Sequence, residues 1–300
     1  ALDELFSVLP PFTLLALWRA GAGARGIALN LAAALVVTLL ALALVRTAGS
    51  PAQWTALGIG VYAALSWAQN LALRDAPAFG LILGSPAMRR VLIGFPCISF
   101  VTYGIGFWGA PFFIRVHGAS ASEVGTFLGL SAAAGGWIGV TLGGVLSDRF
   151  KEKHPAARVW VGLLTALASV PAALTVLFTD SLVVAYVANF FFSVLSPMWV
   201  GCAATTVTDL VLPRMRALAS SFYILMNTFV GLAMGPWTIG RLSDAFAASG
   251  MEAGDALRYG MVSALAILLL VTVALLSATR HVARDEATRV ERARALGEPG

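Results

Sequence analysis

The sequence predicts an all-α protein that crosses a membrane many times. Hydrophobic residues make up 59% of the 300 residues, and charged residues only 12%. A soluble domain carries roughly twice that charged fraction, because its surface faces water. The charges are also clustered, and they leave eight uncharged segments of at least 20 residues. At about 1.5 Å per residue, each segment is long enough to cross a hydrocarbon core of about 30 Å.

Each uncharged segment is predicted to be a transmembrane helix, because lipid offers no hydrogen-bond partners and only helices or closed barrels satisfy their own backbone polar groups. Barrel strands would alternate in polarity over about ten residues, and these segments do not. The segments are residues 26–45, 47–73, 91–114, 124–147, 159–179, 181–208, 217–240 and 259–279. Residues 5–18 and 76–88 are apolar but short and contain prolines, so we expect interfacial or loop segments there.

The basic residues predict the orientation of these helices. With both termini in the cytoplasm, 16 of the 20 lysines and arginines lie on the inner side. Basic residues collect in cytoplasmic loops of membrane proteins. We therefore expect an integral protein of a bacterial inner membrane with both termini cytoplasmic, and the net charge of +5 gives no reason to expect a nucleic acid partner.

A Gly-x-Leu-Ser-Asp motif occurs twice, at 144–148 and 240–244. It ends the fourth predicted helix on the inside and the seventh on the outside. The last six helices can therefore be divided into two triplets related as an inverted repeat, an arrangement common in secondary transporters. The alternative is that a generic helix end has recurred by chance.

The segment 143–154, GGVLSDRFKEKH, resembles the Gly-x-Leu-x-Asp-Arg loop motif of the major facilitator superfamily. Three further blocks resemble its spinster-type branch: FWGAPFFIRVHGASASEVG, TTVTDLVLPRMRALASSFYILMNTFVGLAMGP and GDALRYGM. The resemblance runs from about Ser85 to Arg280. It implies the C-terminal bundle of six helices, a 3+3 inverted repeat, preceded by two additional helices like the pair that fourteen-helix members insert between their halves.

The resemblance implies a five-part organisation of the chain. The expected parts are a cytoplasmic or interfacial segment (1–25), a two-helix insertion (26–73), a cytoplasmic linker (74–90), the C-terminal six-helix transporter lobe (91–279) and a cytoplasmic tail (280–300). The N-terminal six-helix half has no counterpart in this sequence. The expected partners are therefore that half, the lipid bilayer and a small-molecule substrate.

The resemblance also implies a gate in the loop motif. Asp148 would lie near a helix N-terminus of the other half, where the helix dipole favours a carboxylate, and Arg149 would pair with neighbouring acids. The alternative is that these charges only end helices and hold the orientation. The candidate gating residues are Gly144, Asp148, Arg149, Asp209, Arg214 and Arg216. Gly235 and Pro236 predict a kink in the seventh helix, because proline removes an internal hydrogen bond.

Polar and aromatic residues of the third, sixth and seventh predicted helices are the candidates for substrate contact, since the implied fold lines its central cavity with these helices. The candidates are Tyr103, Phe107, Trp108, Asn189, Met198, Thr206, Tyr223 and Asn227. A largely apolar wall with a few hydroxyls and amides suits an amphipathic substrate. The alternative is that these side chains serve helix packing.

Several types of functional site find no support in the sequence. No predicted helix carries an ionisable residue away from its ends, so a coupling carboxylate is expected in the other half. The three histidines lie in separate loops or tails and predict no metal site. No serine, histidine and acid are placed for nucleophilic catalysis, and we expect neither an enzyme nor a cofactor.

The predicted function is that of the C-terminal lobe of a secondary active transporter working by alternating access. The resemblance implies an amphipathic or lipid-like substrate such as a lysophospholipid or sphingoid compound. Two alternatives stay open: a drug or organic-anion carrier of the same superfamily, and a non-transporting membrane scaffold.

Overall fold

A computed structural model describes residues 12–299, and every regular element in that range is a helix. The start of the predicted segment 5–18 lies outside the described residues. All eight predicted membrane helices are confirmed by helices of sufficient length and apolar composition. These spans are Gly23–Ala48, Pro51–Arg74, Pro86–His117, Ala121–Lys151, Ala157–Phe178, Leu182–Asp209, Pro213–Ala248 and Ala253–Ala287.

The chain divides into two compact units, of which the first comprises Ala1–Gly84 and Val290–Gly300. Its helices are α1 (Phe12–Arg19), α2 (Gly23–Ala48), α3 (Pro51–Arg74), α4 (Ala76–Ile82) and, apart from its first residue, α14 (Arg289–Ala295). The antiparallel pair α2–α3 is called the hairpin below. The short helix α4 occupies the predicted interfacial or loop segment 76–88.

A polar network holds the hairpin together. Asn30 donates to the Ser66 hydroxyl and to Gln69 Oε1, each at 3.0 Å. The Tyr62 hydroxyl donates to Asn30 Oδ1 at 2.7 Å, and Gln69 Nε2 donates to the main-chain oxygen of Gly26 at 2.7 Å. Hydrogen bonds between membrane helices contribute roughly 0.6 to 2 kcal/mol each, so the network fixes the pairing of the two helices.

The second unit, Ser85–Arg289, is the lobe. Its elements are α5 (Pro86–His117), α6 (Ala121–Lys151), α7 (Ala157–Phe178), α8 (Leu182–Leu195), α9 (Trp199–Asp209), a 3-10 turn (Pro213–Met215), α10 (Arg216–Met226), a π-helical segment (Asn227–Ala233), α11 (Met234–Ala248), α12 (Ala253–Leu265) and α13 (Ile267–Ala287). Short loops join them into six spans that run up and down.

The lobe has one end rich in charge, called the charged end, which holds residues 148–158, 209–216 and 285–289. The opposite end is called the far end and holds residues 117–121, 179–182 and 248–253. The two Gly-x-Leu-Ser-Asp motifs close α6 at the charged end and α11 at the far end. This placement is what the predicted inverted repeat of three helices requires.

Helix α5 is the centre of the lobe, with 67% of its most apolar stretch buried, against 22% for α6. Its N-terminus is capped by Ser85, whose hydroxyl accepts from Met88 N at 3.2 Å. Asp285 of α13 in turn accepts from the Ser85 hydroxyl at 2.7 Å and from Ala87 N at 2.8 Å. The last span continues beyond the predicted boundary at 279. Its final turns hold the start of α5 through these hydrogen bonds.

Candidate functional site

The lobe contains a cavity of about 240 Å³ between α5, α6, α7, α8 and α12. Its wall is mostly apolar. The lining residues are Thr102, Ile105, Gly106, Gly109, Phe112, Phe113, Leu128, Ala132, Gly136, Val176, Asn189, Phe192, Ser193, Ser196, Pro197 and Met261. None of them carries an ionisable side chain. A small, largely apolar pocket with a few polar groups is the usual form of a small-molecule site.

The polar part of the wall consists of Thr102, Asn189, Ser193 and Ser196. None of these four side chains forms a hydrogen bond with another residue in the range 12–299. Ser196 belongs to the lobe core, with only 5% of its surface exposed. The four side chains therefore leave their hydrogen-bonding capacity unused at the cavity wall.

The sixth span is broken beside this cavity. Helix α8 ends at Leu195 and α9 begins at Trp199, with Pro197 between them. Proline has no N–H and clashes with the preceding turn, so it interrupts the α-helical hydrogen bonds. The break brings Ser193, Ser196 and Pro197 together on the cavity wall.

Glycines of α6 allow the broken span to approach closely. A Cβ on Gly135 would lie 2.8 Å from Ser193 Cβ, one on Gly139 would lie 3.0 Å from the Val194 carbonyl carbon, and one on Gly143 would lie 2.7 Å from that of Met198. Contacts under about 3.0 Å force something to move. These glycines hold the break against α6, as small residues do in membrane helix crossings.

The structure brings one of the eight predicted contact residues, Asn189, into this cavity. Met198 is 5% exposed and Thr206 is 2% exposed, and the Thr206 hydroxyl donates to the Cys202 main-chain oxygen at 2.6 Å. Trp108 Nε1 donates to the Pro236 main-chain oxygen at 2.8 Å and so ties α5 to α11. Their roles in substrate contact stay predictions.

The remaining predicted contact residues lie elsewhere on α5, α10 and the π-helical segment. Tyr103 and Phe107 are exposed on α5, Tyr223 is buried, and Asn227 is half-buried, with an Oδ1 that has no partner among the described residues. Ser193 and Ser196 belong to the polar residues of the sixth span from which the eight candidates were drawn, but neither they nor Thr102 are among the eight. The proline directly after Ser196 was the available signal, because it predicts a local break in a helix.

The charged end carries a network of ion pairs. Lys151 Nζ lies 2.5 Å from Glu286 Oε2 and 3.4 Å from Asp209 Oδ2. Arg158 lies 2.8 Å from Asp148 Oδ1 and pairs also with Asp209. The network links α6, α7, α9 and α13, and its side chains other than Asp148 are about three-quarters buried or more.

The network contains two of the six predicted gating residues, Asp148 and Asp209. Arg149, Arg214 and Arg216 are exposed, and Gly144 lies open enough that an added Cβ would touch nothing within 4 Å. The network residues Lys151, Arg158 and Glu286 were not selected from the sequence. Pairing across three loops cannot be seen in a linear sequence, and Glu286 was placed in the predicted tail 280–300.

The irregularity predicted at Gly235 and Pro236 is accompanied by the π-helical segment just upstream. A Cβ on Gly235 would lie 3.2 Å from the Phe100 carbonyl carbon, and one on Gly231 would lie 2.6 Å from Ser99 Cβ. The segment therefore packs directly on the α5 backbone. Since Pro236 cannot donate, the preceding turn loses a hydrogen bond, and π-helical turns occur frequently at functional sites.

The Major Facilitator Superfamily model matches residues 6–236. An MFS-type efflux pump of Mycolicibacterium smegmatis (strain ATCC 700084 / mc(2)155) is 27% identical over 189 residues, covering 63% of this chain and 44% of that protein. Protein spinster homolog 1 of Bos taurus is 29% identical over 192 residues, covering 59% of this chain and 35% of that protein. The chain thus spans less than half the length of these relatives.

Two solved structures share the fold. Both are of a bacterial homologue of the human lysosomal transporter Spinster. The inward-facing, unoccupied form has a TM-score of 0.63 at 22% identity, covering 85% of this chain and 66% of that one. The inward-facing, occupied form has a TM-score of 0.59 at 24% identity, covering 76% and 58%. Since the superfamily model matches most of the chain, the chain belongs to the major facilitator superfamily.

Proposed function

We propose that the lobe is one half of a secondary active transporter that moves an amphipathic, lipid-like substrate, such as a lysophospholipid or a sphingoid compound, by alternating access. The observation that carries the proposal is the cavity, which is apolar, uncharged and furnished with unpaired polar side chains. Such a site accepts an alkyl chain together with a few hydrogen-bonding groups. The spinster relatives and the shared fold support the same class of protein.

The transport cycle requires a second half, because alternating access is the rocking of one bundle against another. The lobe supplies one bundle, and we propose that the other is the N-terminal half expected from the family. The driving ion is expected to act there, since the lobe's spans carry ionisable residues only towards their ends.

The ion-pair network at the charged end is proposed to stabilise one of the two states. It ties four helices of the lobe at the point where the loop motif emerges. The pair of Asp148 with Arg158 is the most exposed of the network, since 64% of the Asp148 side chain is accessible. It is therefore the pair that contact with the other half would break first. The predicted latch between Asp148, Arg149 and the other half belongs to this proposal.

The charged end is proposed to face the cytoplasm, in keeping with the excess of basic residues on that side. Cysteines placed at Lys153 and at Ser249 report on opposite ends of the lobe. In right-side-out cells, a membrane-impermeant maleimide should label only the second. Labelling of Lys153→Cys from outside would reverse the orientation.

The substrate assignment is tested in proteoliposomes that contain the complete transporter with both halves. Labelled lysophosphatidylcholine should move across the bilayer faster than in protein-free liposomes, and a sphingoid base should compete. A protein that leaves both lipids in place while transporting a small organic anion contradicts the lipid assignment.

A drug or organic-anion carrier of the same superfamily is the second candidate, and the mycobacterial relative is an efflux pump. The cavity offers no cation to an anionic substrate, since none of its lining residues is basic. Arg115 stands near the far end and is exposed. The liposome experiment separates the two candidates, because only the anion carrier transports the organic anion.

A further inference from the structure

We propose that the cavity binds the uncharged polar segment of an amphipathic substrate: a hydroxyl or amide group next to an alkyl chain. The inference rests on the proposed function and names the part of the substrate that the lobe recognises. It is carried by Thr102, Asn189, Ser193 and Ser196, which line one cavity and have no partners among the described residues.

Many other hydroxyls of the lobe are satisfied by their own helix. Elsewhere, Thr206 donates to the main-chain oxygen of Cys202 at 2.6 Å, and Thr272 to that of Leu268 at 2.7 Å. Such bonds to the preceding helical turn are the usual way in which Ser and Thr are satisfied in membrane helices. The cavity hydroxyls make none, although Ser196 is almost completely buried. A ligand that supplies the missing partners would gain free energy from all four.

The four polar side chains of the wall offer both donors and acceptors. Three hydroxyls and one amide donate, and the same groups accept. That set matches a ligand group that both donates and accepts, as hydroxyls and amides do.

The absence of charge on the wall defines what the cavity rejects. A phosphate or ammonium group entering it would lose its hydration without meeting an opposite charge, which is strongly unfavourable. The apolar remainder of the wall, with Phe112, Phe192 and Met261, suits alkyl carbons. Whole-ligand sites measure about 300–1,000 Å³, so a cavity of about 240 Å³ holds a segment of a substrate and leaves a charged headgroup outside.

The test measures binding of two neutral probes to the full 300-residue chain in nanodiscs. One is a radiolabelled monoacylglycerol with a 14-carbon chain, and the other is the methyl ester of the same fatty acid, which lacks the two hydroxyls. The chain should prefer the monoacylglycerol. Ser196→Ala and Thr102→Val should each weaken its binding about 3- to 10-fold, as expected for one lost hydrogen bond, and Asn189→Leu by more.

The controls distinguish this proposal from the proposed function. Ser221→Ala removes an exposed hydroxyl of α10 that bonds to its own helix, and should change nothing. The proposal is overturned if the three cavity variants, shown by gel filtration to be folded, keep the preference of the unaltered chain, or if that chain has no preference. A complete transporter that fails to move lysolipids, while the preference and its loss are observed, contradicts the transport assignment alone.

An independent observation concerns the hairpin, and from it we infer that α2 and α3 are the last two helices of the first six-helix half, in place of the inserted pair expected from the resemblance. The superfamily match begins at residue 6, ahead of both helices. A pair inserted into only some members would not be expected to belong to the pattern shared by the superfamily.

The extent of the structural match supports the same assignment. The 85% of this chain that matches the unoccupied Spinster homologue is about 255 residues, about 50 more than the lobe contains. Those further residues must come from the first unit, where α2 and α3 together supply the helices. Since the match covers 66% of the homologue, about 130 of its residues lie outside, which is room for about four spans with their loops.

The hairpin offers a surface on which such helices could pack. A groove of about 510 Å³ runs between α1, α2 and α3 and is lined by residues that include Leu31, Val37, Thr38, Thr55 and Tyr62. Only 6% of the most apolar stretch of α2 is buried. The proposed occupant of the groove is a helix from the four that complete this half.

The complete coding sequence tests this assignment directly: we expect four membrane spans ahead of α2, giving twelve in total. Six spans ahead of α2 would overturn it. In the complete protein, Thr38→Trp should fill the groove and lower the melting temperature, whereas Leu40→Trp on the exposed surface of α2 should not. Equal effects of the two variants would contradict the proposed occupant of the groove.

Discussion

The cavity and the charged end of the lobe treat their polar groups in opposite ways. At the charged end, Lys151, Arg158 and Asp209 each have two ionic partners, and the carboxylates come from three different helices. In the cavity, four polar side chains have no partners within the described chain and no formal charge. The satisfied groups hold helices together, and the unsatisfied groups are available for a ligand.

The contrast also explains where the lobe is rigid. Between the two regions lies the crossing of α6 with the α8–α9 break, where glycines permit contact between backbones. Close backbone contact fixes the position of the break, and hence of Ser193 and Ser196. The ion-pair network at the charged end adds to this, because its member Asp209 belongs to α9, the helix that follows the break. The cavity is thus an open site on a firmly held support, as precise ligand binding requires.

The largest effect is expected at this support. Gly143→Ala places a Cβ against the carbonyl of Met198, and because the atoms it meets belong to the backbone, the helices must separate. The loss should be about 3 kcal/mol or more, equivalent to a fall in melting temperature of about 10 °C for a domain of this size. Gly129→Ala, on the same helix, meets nothing within 4 Å and should leave the melting temperature unchanged. A similar effect of both would show that α6 does not pack as described.

The next effect concerns the charged end. Asp209→Asn leaves Lys151 and Arg158 with one acid each, and should destabilise the lobe by about 2 kcal/mol, between the values for exposed and buried pairs. Thermal unfolding in detergent measures it. Asp244→Asn removes an exposed acid at the far end and is the matched control. If the two variants unfold alike, the network contributes nothing to the lobe.

Two serines that cap helices allow a buried satisfied hydroxyl to be compared with an exposed one. Ser85 and Ser120 both cap helices, but Ser85 is completely buried and also donates to Asp285. Ser85→Ala should therefore cost about 1–2 kcal/mol, and Ser120→Ala about 0.5 kcal/mol. A larger loss at Ser120 would mean that the contact between α5 and α13 is not formed.

The smallest expected effect is the coupling between Lys151 and Glu286. A double-mutant cycle with Lys151→Met and Glu286→Gln should give about 0.5–1 kcal/mol, since the pair is only partly buried. The value should fall in 1 M salt, where the Debye length is about 3 Å. A coupling of zero at low salt would remove this pair from the network.

The spans could be predicted from the sequence because lipid imposes a simple rule on them. Twenty uncharged residues are a strong signal, and all eight predicted helices are present. Pro197 marks a position where a helix can break, but the break itself and the π-helical segment at 227–233 were not predicted, since many membrane helices tolerate proline without ending. Their form depends on which backbone lies opposite, and that is a property of the packed lobe.

The candidate site was predictable only in part. The implied fold pointed to the third, sixth and seventh spans, of which the third and sixth line the cavity and the seventh does not. Asn189 of the sixth span is both a predicted contact residue and part of the cavity wall. Thr102 and Ser196 are not among the eight candidates, because the sequence does not distinguish a hydroxyl that bonds to its own helix from one that faces a cavity. Trp108 was selected as a contact residue, but its indole bonds to the Pro236 carbonyl.

Photolabelling tests the central claim, that the unpaired polar groups of the cavity receive a ligand, most directly. The probe is a monoacylglycerol with a diazirine on the alkyl carbon next to the ester, used on the full chain in nanodiscs. We predict label within residues 182–197 of the broken span, reduced by excess unlabelled monoacylglycerol and abolished by Asn189→Leu. Label confined to the exposed surface of α2, with no reduction by the competitor, would contradict the account.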